Sequence, residues 1–288
     1  MADVIAIFGP TASGKSAVGE EIARRIPAEL VSADAMQVYR GLPILTNQSS
    51  ARLAGIWDLD HEASVGEYQA LAHVAIDEIL AAGRTPVVVG GTGLYIRAAL
   101  ADLELPPAVP VETRERLERL YDRLGGELAH ELLAEHDPAA AEAVHPNDRR
   151  RIVRALELAE AGRSLRPSRD RLWAGEMRCP TLIVGLELSR EELRRRIAER
   201  AREMFERGVE EEVRRALARP ISETARHIHG LREIAELPRD QALEALITRT
   251  RRYAVYQLRW MRRVPGLVPL DADRPPASIA DDVLGLAA

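Results

Sequence analysis

Apolar residues follow two rhythms along this chain. Val4-Ile5-Ala6-Ile7-Phe8 is an unbroken apolar run, the pattern of a strand buried on both faces. The run ends at Gly9. The period then changes, with Val18, Ile22 and Ile26 one helical turn apart, which predicts a helix over residues 17–25. A second short strand is predicted from Leu30 to Ser32, ending near Asp34. Val65 to Ala82 has a helical pattern stopped by Gly83. Pro86-Val87-Val88-Val89 is a further apolar strand running into Gly90-Gly91-Thr92-Gly93. Strands alternating with helices predict an α/β core with a mostly parallel sheet covered by helices.

The pattern changes near Pro106-Pro107-Ala108-Val109-Pro110. From Glu112 to about Glu176 it is helical and rich in Arg and Glu, with no convincing strand. Thr181 to Leu186 then resumes as a strand. Long helices are predicted from Ser189 to Ala218, opened by a capping box of Ser189 and Glu192, and from Gln241 to Arg263. The simplest architecture is an α/β core of residues 1–111 and 177–288, interrupted by a helical insertion at 112–176. No internal repeat or low-complexity tract is present.

Composition narrows the setting. A chain of 288 residues, 46% of them hydrophobic, can fill one large core or two unequal domains. No apolar run approaches the ~20 residues that span a bilayer. The first residues lack the basic start and small-residue cleavage site of a secretory signal. A cytoplasmic protein without a membrane partner is expected. Cys179 is the only cysteine, which excludes an internal disulfide and a multi-cysteine zinc site. The net charge of −5 argues, on average, against a polyanionic partner. Arginines nevertheless cluster at 149–151, 194–196, 251–252 and 262–263. Each cluster can be a solvated helix face, since acidic runs such as Glu210-Glu211-Glu212 lie nearby. Lys15 is the only lysine among 40 basic residues.

That lysine belongs to Gly9-Pro10-Thr11-Ala12-Ser13-Gly14-Lys15-Ser16, which fits the phosphate-binding loop G-x-x-x-x-G-K-[ST] between a strand and a helix. The glycines let backbone N–H groups turn toward phosphate oxygens, and the helix N-terminus adds partial positive charge. Lys15 supplies a compact cation, and the Ser16 hydroxyl suits Mg²⁺. Asp34 follows the second strand, at the end of the sheet where ligands bind in such folds. Its carboxylate could accept a proton or support Mg²⁺, or simply cap the next turn. Thr92 either hydrogen-bonds a ligand or caps the helix after it. Gln37 can pair with a base edge or be a surface polar group. Arg114, Arg150, Arg151 and Arg154 suit phosphates. Tyr253 and Trp260 are seven apart on one face, a spacing that favours core packing over base stacking. From these residues alone, an ATP-using nucleotide or small-molecule kinase is the default, and an RNA-binding protein with a relic loop a second possibility.

Several segments in order carry a more specific signal: G-P-T-A-S-G-K-S, S-A-D-A-M-Q-V-Y-R-G, G-G-T-G-L-Y-I-R-A-A-L, the H-P-N-D-R-R-R-I-V-R-A-L-E stretch from His145, and R-Y-A-V-Y-Q-L-R-W. Through them the chain resembles the tRNA dimethylallyltransferase family along essentially its whole length. The resemblance implies a P-loop NTPase-like core and transfer of a dimethylallyl group from dimethylallyl diphosphate to the N6 amine of the adenosine 3′ of the tRNA anticodon. It implies that Gly9 to Ser16 hold the diphosphate, with Mg²⁺ bound through the diphosphate and Ser16 and no permanent metal site. It assigns Asp34 as general base, with Thr92 beside it. Asp34, Ala35, Met36, Gln37, Thr92, Arg114 and the segment Arg150, Arg151, Ile152, Val153, Arg154 are implied tRNA contacts. The insertion is expected to close over the anticodon arm, in a monomer. The chain departs from the family's usual pattern at Leu42 to Gln48, which lacks a lysine, and at Leu231, where an aromatic is usual.

Overall fold

The computed structural model describes residues 2–105, 109–166 and 176–288, without the side chain of Val111. Residues 106–108 of the proline-rich seam and 167–175 of the expected helical stretch lie outside the described residues.

The first part of the chain forms β1 (Val4–Phe8), α1 (Lys15–Arg25), β2 (Ala28–Ser32), α2 (Val65–Ala81), β3 (Thr85–Gly90) and α3 (Gly93–Leu100). Four helices follow: α4 (Val111–Leu124), α5 (Gly126–His136), α6 (Pro138–Ala143) and α7 (Arg149–Glu160). The chain returns through β4 (Thr181–Glu187), α8 (Arg190–Glu206), α9 (Val209–Leu217), α10 (Glu223–Arg226), α11 (Leu231–Glu236), α12 (Arg239–Met261), β5 (Val268–Asp271) and α13 (Pro276–Ala287). It divides into two compact units, Met1–Leu103 with Leu172–Ala288, and Glu104–Arg171. The second unit thus begins at Glu104, ahead of the expected 112.

In the first unit five strands form one sheet in the order β2-β3-β1-β4-β5, and every pairing is parallel. β1 lies at its centre and is buried throughout, as its unbroken apolar run requires. Ile5 and Ile7 join Val18 and Ile22 of α1 and Ile279, Ala280 and Val283 of α13 in one apolar cluster. Val4, Ala6 and Phe8 point to the other face. The registers align Phe8 with Gly90 and with Gly185, so β1 and β3 end together while β4 runs two residues further, to Glu187.

Two sequence expectations need correction. The helical stretch from Ser189 to Ala218 is broken at Gly208, whose φ of 85° is left-handed and ends α8 before α9 begins. The strand β5 was not anticipated. It is only four residues long, contains Pro269 and alternates between half-buried and exposed, as an edge strand can. Among the described residues no helix is long and apolar enough to cross a membrane.

The second unit is all helical among its described residues. Leu117, Ala129, Leu133, Ala140, Ile152 and Leu156 fill its core. Its turns are cut by sequence signals. Asp137 caps α6 by accepting from Ala140 N at 3.0 Å, with Pro138 in the first turn. Asp148 caps α7 through Arg151 N at 3.1 Å.

Candidate active site

The loop between β1 and α1 is shaped by close packing. A side chain at Gly9 would put its Cβ 2.6 Å from Ser13 Oγ, and Gly14 turns the chain into α1 at φ 86°. The amino end of α1 therefore opens on the loop with its N–H groups unsatisfied by the helix itself. Ser13 Oγ is buried and has no hydrogen-bond partner among the described residues. Lys15 Nζ donates to the Pro10 carbonyl at 3.2 Å. Its pKa is lowered to about 8, chiefly by loss of water; the charge of Asp34 opposes the shift and that of Arg200 adds to it.

Gly90 brings the second element of the site close. A Cβ there would stand 2.1 Å from the Ala33 carbonyl oxygen, so only glycine lets the chain after β2 cross the end of β3. Asp34 is thereby carried to the phosphate loop, and both line one pocket with Lys15 and Ser16. Asp34 Oδ1 accepts from Met36 N at 3.0 Å, which makes the turn-capping reading correct for that oxygen. No group donates to its Oδ2 among the described residues.

Thr92 does not cap α3 with its side chain. Its hydroxyl accepts from Ala35 N at 3.2 Å and lies 3.2 Å from Tyr253 Oη, tying the turn after Asp34 to α12. Gln37 is turned inward rather than offered to a base edge. Its amide donates to the Asn47 carbonyl at 3.0 Å and accepts from Ser32 Oγ at 3.2 Å. The divergent loop Leu42 to Gln48 is laced to the same segment, with Gln48 Nε2 donating to the carbonyls of Gln37 and Tyr39 at 2.9 and 2.8 Å. Glu212 holds the loop from the other side, accepting from Ile44 N at 2.7 Å and Leu45 N at 2.8 Å. The acidic run 210–212 is therefore not wholly solvated.

Three residues of the site were not singled out from the sequence. Arg200 of α8 donates from Nη1 to Thr11 Oγ1 at 2.9 Å, while its Nε is buried without a partner among the described residues. Burial pushes its pKa down, against the charge of Asp34. Gln257 is buried and accepts from Thr11 N at 2.8 Å. A Cβ at Gly91 would stand 2.3 Å from the Gln257 amide nitrogen. His229 packs against Tyr253, with ring centres 4.3 Å apart and planes tilted by 51°, and is lowered to about pKa 4 by burial and then by Arg249, so it is neutral near pH 7. Burial, then the charge of Asp34, pushes the Tyr253 hydroxyl up, so it stays a donor. Together these side chains surround an open pocket with a cationic end at Lys15 and Arg200 and an apolar wall of Leu45, Ile197, Met204 and Leu246.

Residues 37–264 match the family model described as IPP transferase. The chain belongs to the IPP transferase family. It is 40% identical to a tRNA dimethylallyltransferase of Streptomyces coelicolor, over 91% of this chain and 88% of that one. It is 36% identical to a tRNA dimethylallyltransferase of Corynebacterium jeikeium, over 98% and 96%. Among solved structures, a tRNA isopentenylpyrophosphate transferase from Bacillus halodurans matches at 31% identity with a TM-score of 0.69, covering 99% of this chain and 96% of that one. A eukaryotic dimethylallyltransferase acting on tRNA, at 23% identity, shares the fold with a TM-score of 0.75, over 100% and 81%.

In this member of the IPP transferase family the helical unit separates its expected contact residues into three groups. Ile152 and Val153 are buried core side chains and present nothing to a partner. Arg150 and Arg151 are exposed. Arg114 Nε and Arg154 Nη1 instead grip the two oxygens of Glu157, at 2.9 and 2.8 Å, and Glu157 is itself 1% exposed. Removing that carboxylate leaves two guanidinium groups held around an empty centre. Glu157→Ala is expected to cost about 3 kcal/mol, discounted to the low end because both arginines reach solvent, and to be read as a lower urea midpoint. Glu157→Gln should lose less. An unchanged midpoint in Glu157→Ala would show that the triad contributes nothing to stability.

Proposed function

We propose that this chain transfers a dimethylallyl group from dimethylallyl diphosphate to the exocyclic N6 amine of the tRNA adenosine 3′ of the anticodon. The observation that carries the reading is the Asp34 carboxylate. Among the described residues no group donates to one of its oxygens, and it stands in one pocket between a cationic phosphate loop and an apolar wall. The names of the relatives support the substrates. A loop nucleotide can be splayed out of its stack and drawn into such a pocket.

The diphosphate sits in the loop of Gly9 to Ser16 against the N–H groups that open α1, with Lys15 and Arg200 on its charge. The adenine amine approaches the allylic carbon opposite the leaving oxygen. The C–N bond forms as the C–O bond breaks, the diphosphate leaves with the bonding pair, and Asp34 Oδ2 takes the amine proton. Thr92 and Tyr253 fix the turn that aims Asp34. Among the described residues no group of three or more His, Cys, Asp or Glu side chains stands ready for a metal. The Ser16 hydroxyl and Asp34 are hard oxygen donors that fit Mg²⁺ held mainly by the diphosphate. When bound, Mg²⁺ would supply further neutralisation of the leaving charge. The enzyme is expected to act in the cytoplasm. An ATP-using kinase, the default for a phosphate loop alone, is not favoured by the relatives named above or by the apolar wall.

The deciding experiment is incubation with unmodified tRNA and dimethylallyl diphosphate, followed by nucleoside mass analysis. The expected product is N6-isopentenyladenosine. Turnover of ATP on a small acceptor, with tRNA untouched, would sink the proposal.

The lowered pKa of Lys15 sets a pH dependence. The protonated amine binds the diphosphate, and it is the majority form only below about pH 8. Affinity for dimethylallyl diphosphate should be level below that pH and fall, by up to about tenfold per pH unit, above it. Calorimetric titration across this range checks it, and Lys15→Met should give a weak, flat profile. A wild-type profile that stays flat to pH 9.5 would contradict it.

A further inference from the structure

Helix α12 buries Ala242, Leu246, Ile247, Ala254, Gln257 and Met261. At 3.6 residues per turn the remaining positions form an outer arc of uneven composition. Arg251, Arg262, Arg259 and Arg252 lie across its middle. Tyr256, Trp260 and Tyr253 fall between those arginines and the buried Gln257, along the border of the pocket that Tyr253 and Gln257 line.

Some exposed arginines of this chain are matched by carboxylates, as Arg195 is by Glu192 and Glu199, and Arg149 by Asp122. Arg251, Arg252, Arg259 and Arg262 have no such partner among the described residues. In a chain of net charge −5 this is a local excess of positive charge on one helix face. The aromatic side chains beside it form a row. His229 and Tyr253 are 4.3 Å apart, Tyr253 and Tyr256 6.3 Å apart with planes 22° from parallel, and Tyr256 and Trp260 6.3 Å apart edge-on. The row starts inside the pocket and comes out at Tyr256, which is 51% exposed. Trp260 is fixed at the inner edge, over the space where a Cβ on Gly93 would be 2.2 Å away.

A half-exposed ring next to unmatched arginines fits a ligand that alternates flat aromatic groups with anions, which is single-stranded or looped RNA. An apolar protein partner would leave the guanidinium groups unpaired at the interface. We infer that Tyr256 is a stacking platform for a nucleotide flanking the adenosine drawn into the pocket, with Arg252 and Arg259 on the neighbouring phosphates. This rests on the tRNA reading above. Extruding one base leaves its neighbours short of a stacking partner, and a ring at the end of the row from the pocket replaces it.

The test uses an anticodon stem-loop carrying 2-aminopurine first on the 5′ side and then on the 3′ side of the target adenosine. On binding the full-length protein, fluorescence at one of the two positions should be quenched, in the wild type and in Tyr256→Trp. In Tyr256→Ala that quench should disappear and RNA affinity should fall roughly tenfold. The slope of log affinity against log salt should be unaltered in Tyr256→Ala, which loses no charge, and smaller by about one in Arg252→Ala. Tyr256→Ala with wild-type quench and affinity, in a protein that still prenylates tRNA, overturns the stacking role and leaves the tRNA reading standing. A wild type that neither binds nor modifies tRNA overturns both.

Discussion

Asp34→Asn is expected to lower the single-turnover rate by about 10²- to 10⁴-fold, the range of a lost proton-transfer group, while both substrates still bind. Asparagine keeps a carbonyl oxygen for Met36 N, so the turn that Asp34 Oδ1 now caps survives. What goes is the basicity at Oδ2. Asp34→Ala should be at least as damaging, because it also loses the turn. A second consequence follows from charge. Asp34 favours the protonated forms of Lys15 and Arg200. Without it, Lys15 should lose its proton below about pH 8, and diphosphate affinity should fall at lower pH than in the wild type. If the carboxylate served Mg²⁺ instead, the loss would appear mainly in diphosphate binding and excess Mg²⁺ would recover part of it. Rates at saturating tRNA and allylic substrate separate these outcomes. Near-normal chemistry in Asp34→Asn would end the general-base assignment.

Arg200→Ala should lower the rate by about 10²- to 10³-fold, as when a preorganised donor to developing charge is removed. It should also weaken dimethylallyl diphosphate binding and leave tRNA affinity nearly unaltered. The reason is the buried Nε without a partner, beside the Nη1 that holds Thr11. A buried donor without an acceptor is costly, and a diphosphate oxygen supplies the acceptor. Arg200→Lys should recover only part of the loss, since an ammonium cannot hold Thr11 and a phosphate oxygen in the same planar geometry. Wild-type turnover in Arg200→Ala would show that the guanidinium only supports the loop.

The parts of this molecule legible in the sequence were those set by local physics. The run Val4 to Phe8 could only be a two-sided strand, and Gly9 to Gly14 after it form a loop by their own glycines and spacing, with Lys15 and Ser16 opening α1 two residues ahead of the expected start. Asp34 was found because the end of a parallel strand is a fixed place. Arg200 was not, because α8 carries many arginines and only packing decides which turns inward. A signal was present. Leu193, Ile197, Arg200 and Met204 follow helical spacing, so Arg200 stands on the apolar stripe that faces the pocket. Glu212 stands likewise among Val209, Val213 and Ala216, and Glu157 beside Val153 and Leu156. A charged residue on an apolar stripe was the better guide than a charged run. Gln37 and Thr92 show the converse. Their polarity suggested ligands, and in this structure their hydrogen bonds go to Asn47, Ser32, Ala35 and Tyr253. The edge strand β5 was beyond reach, since four half-buried residues with a proline carry almost no periodic signal.

Thr11 N is held by Gln257, 246 residues further along the chain. During synthesis the phosphate loop is made well before α12, which completes it. Until α12 is made, Thr11 lacks its partner and the row from His229 to Trp260 does not exist. Helices α4 to α7 make their contacts with near neighbours in sequence and can fold while the rest is still being translated. A chain cut short before α12 therefore carries a phosphate loop without the acceptor that Gln257 gives Thr11.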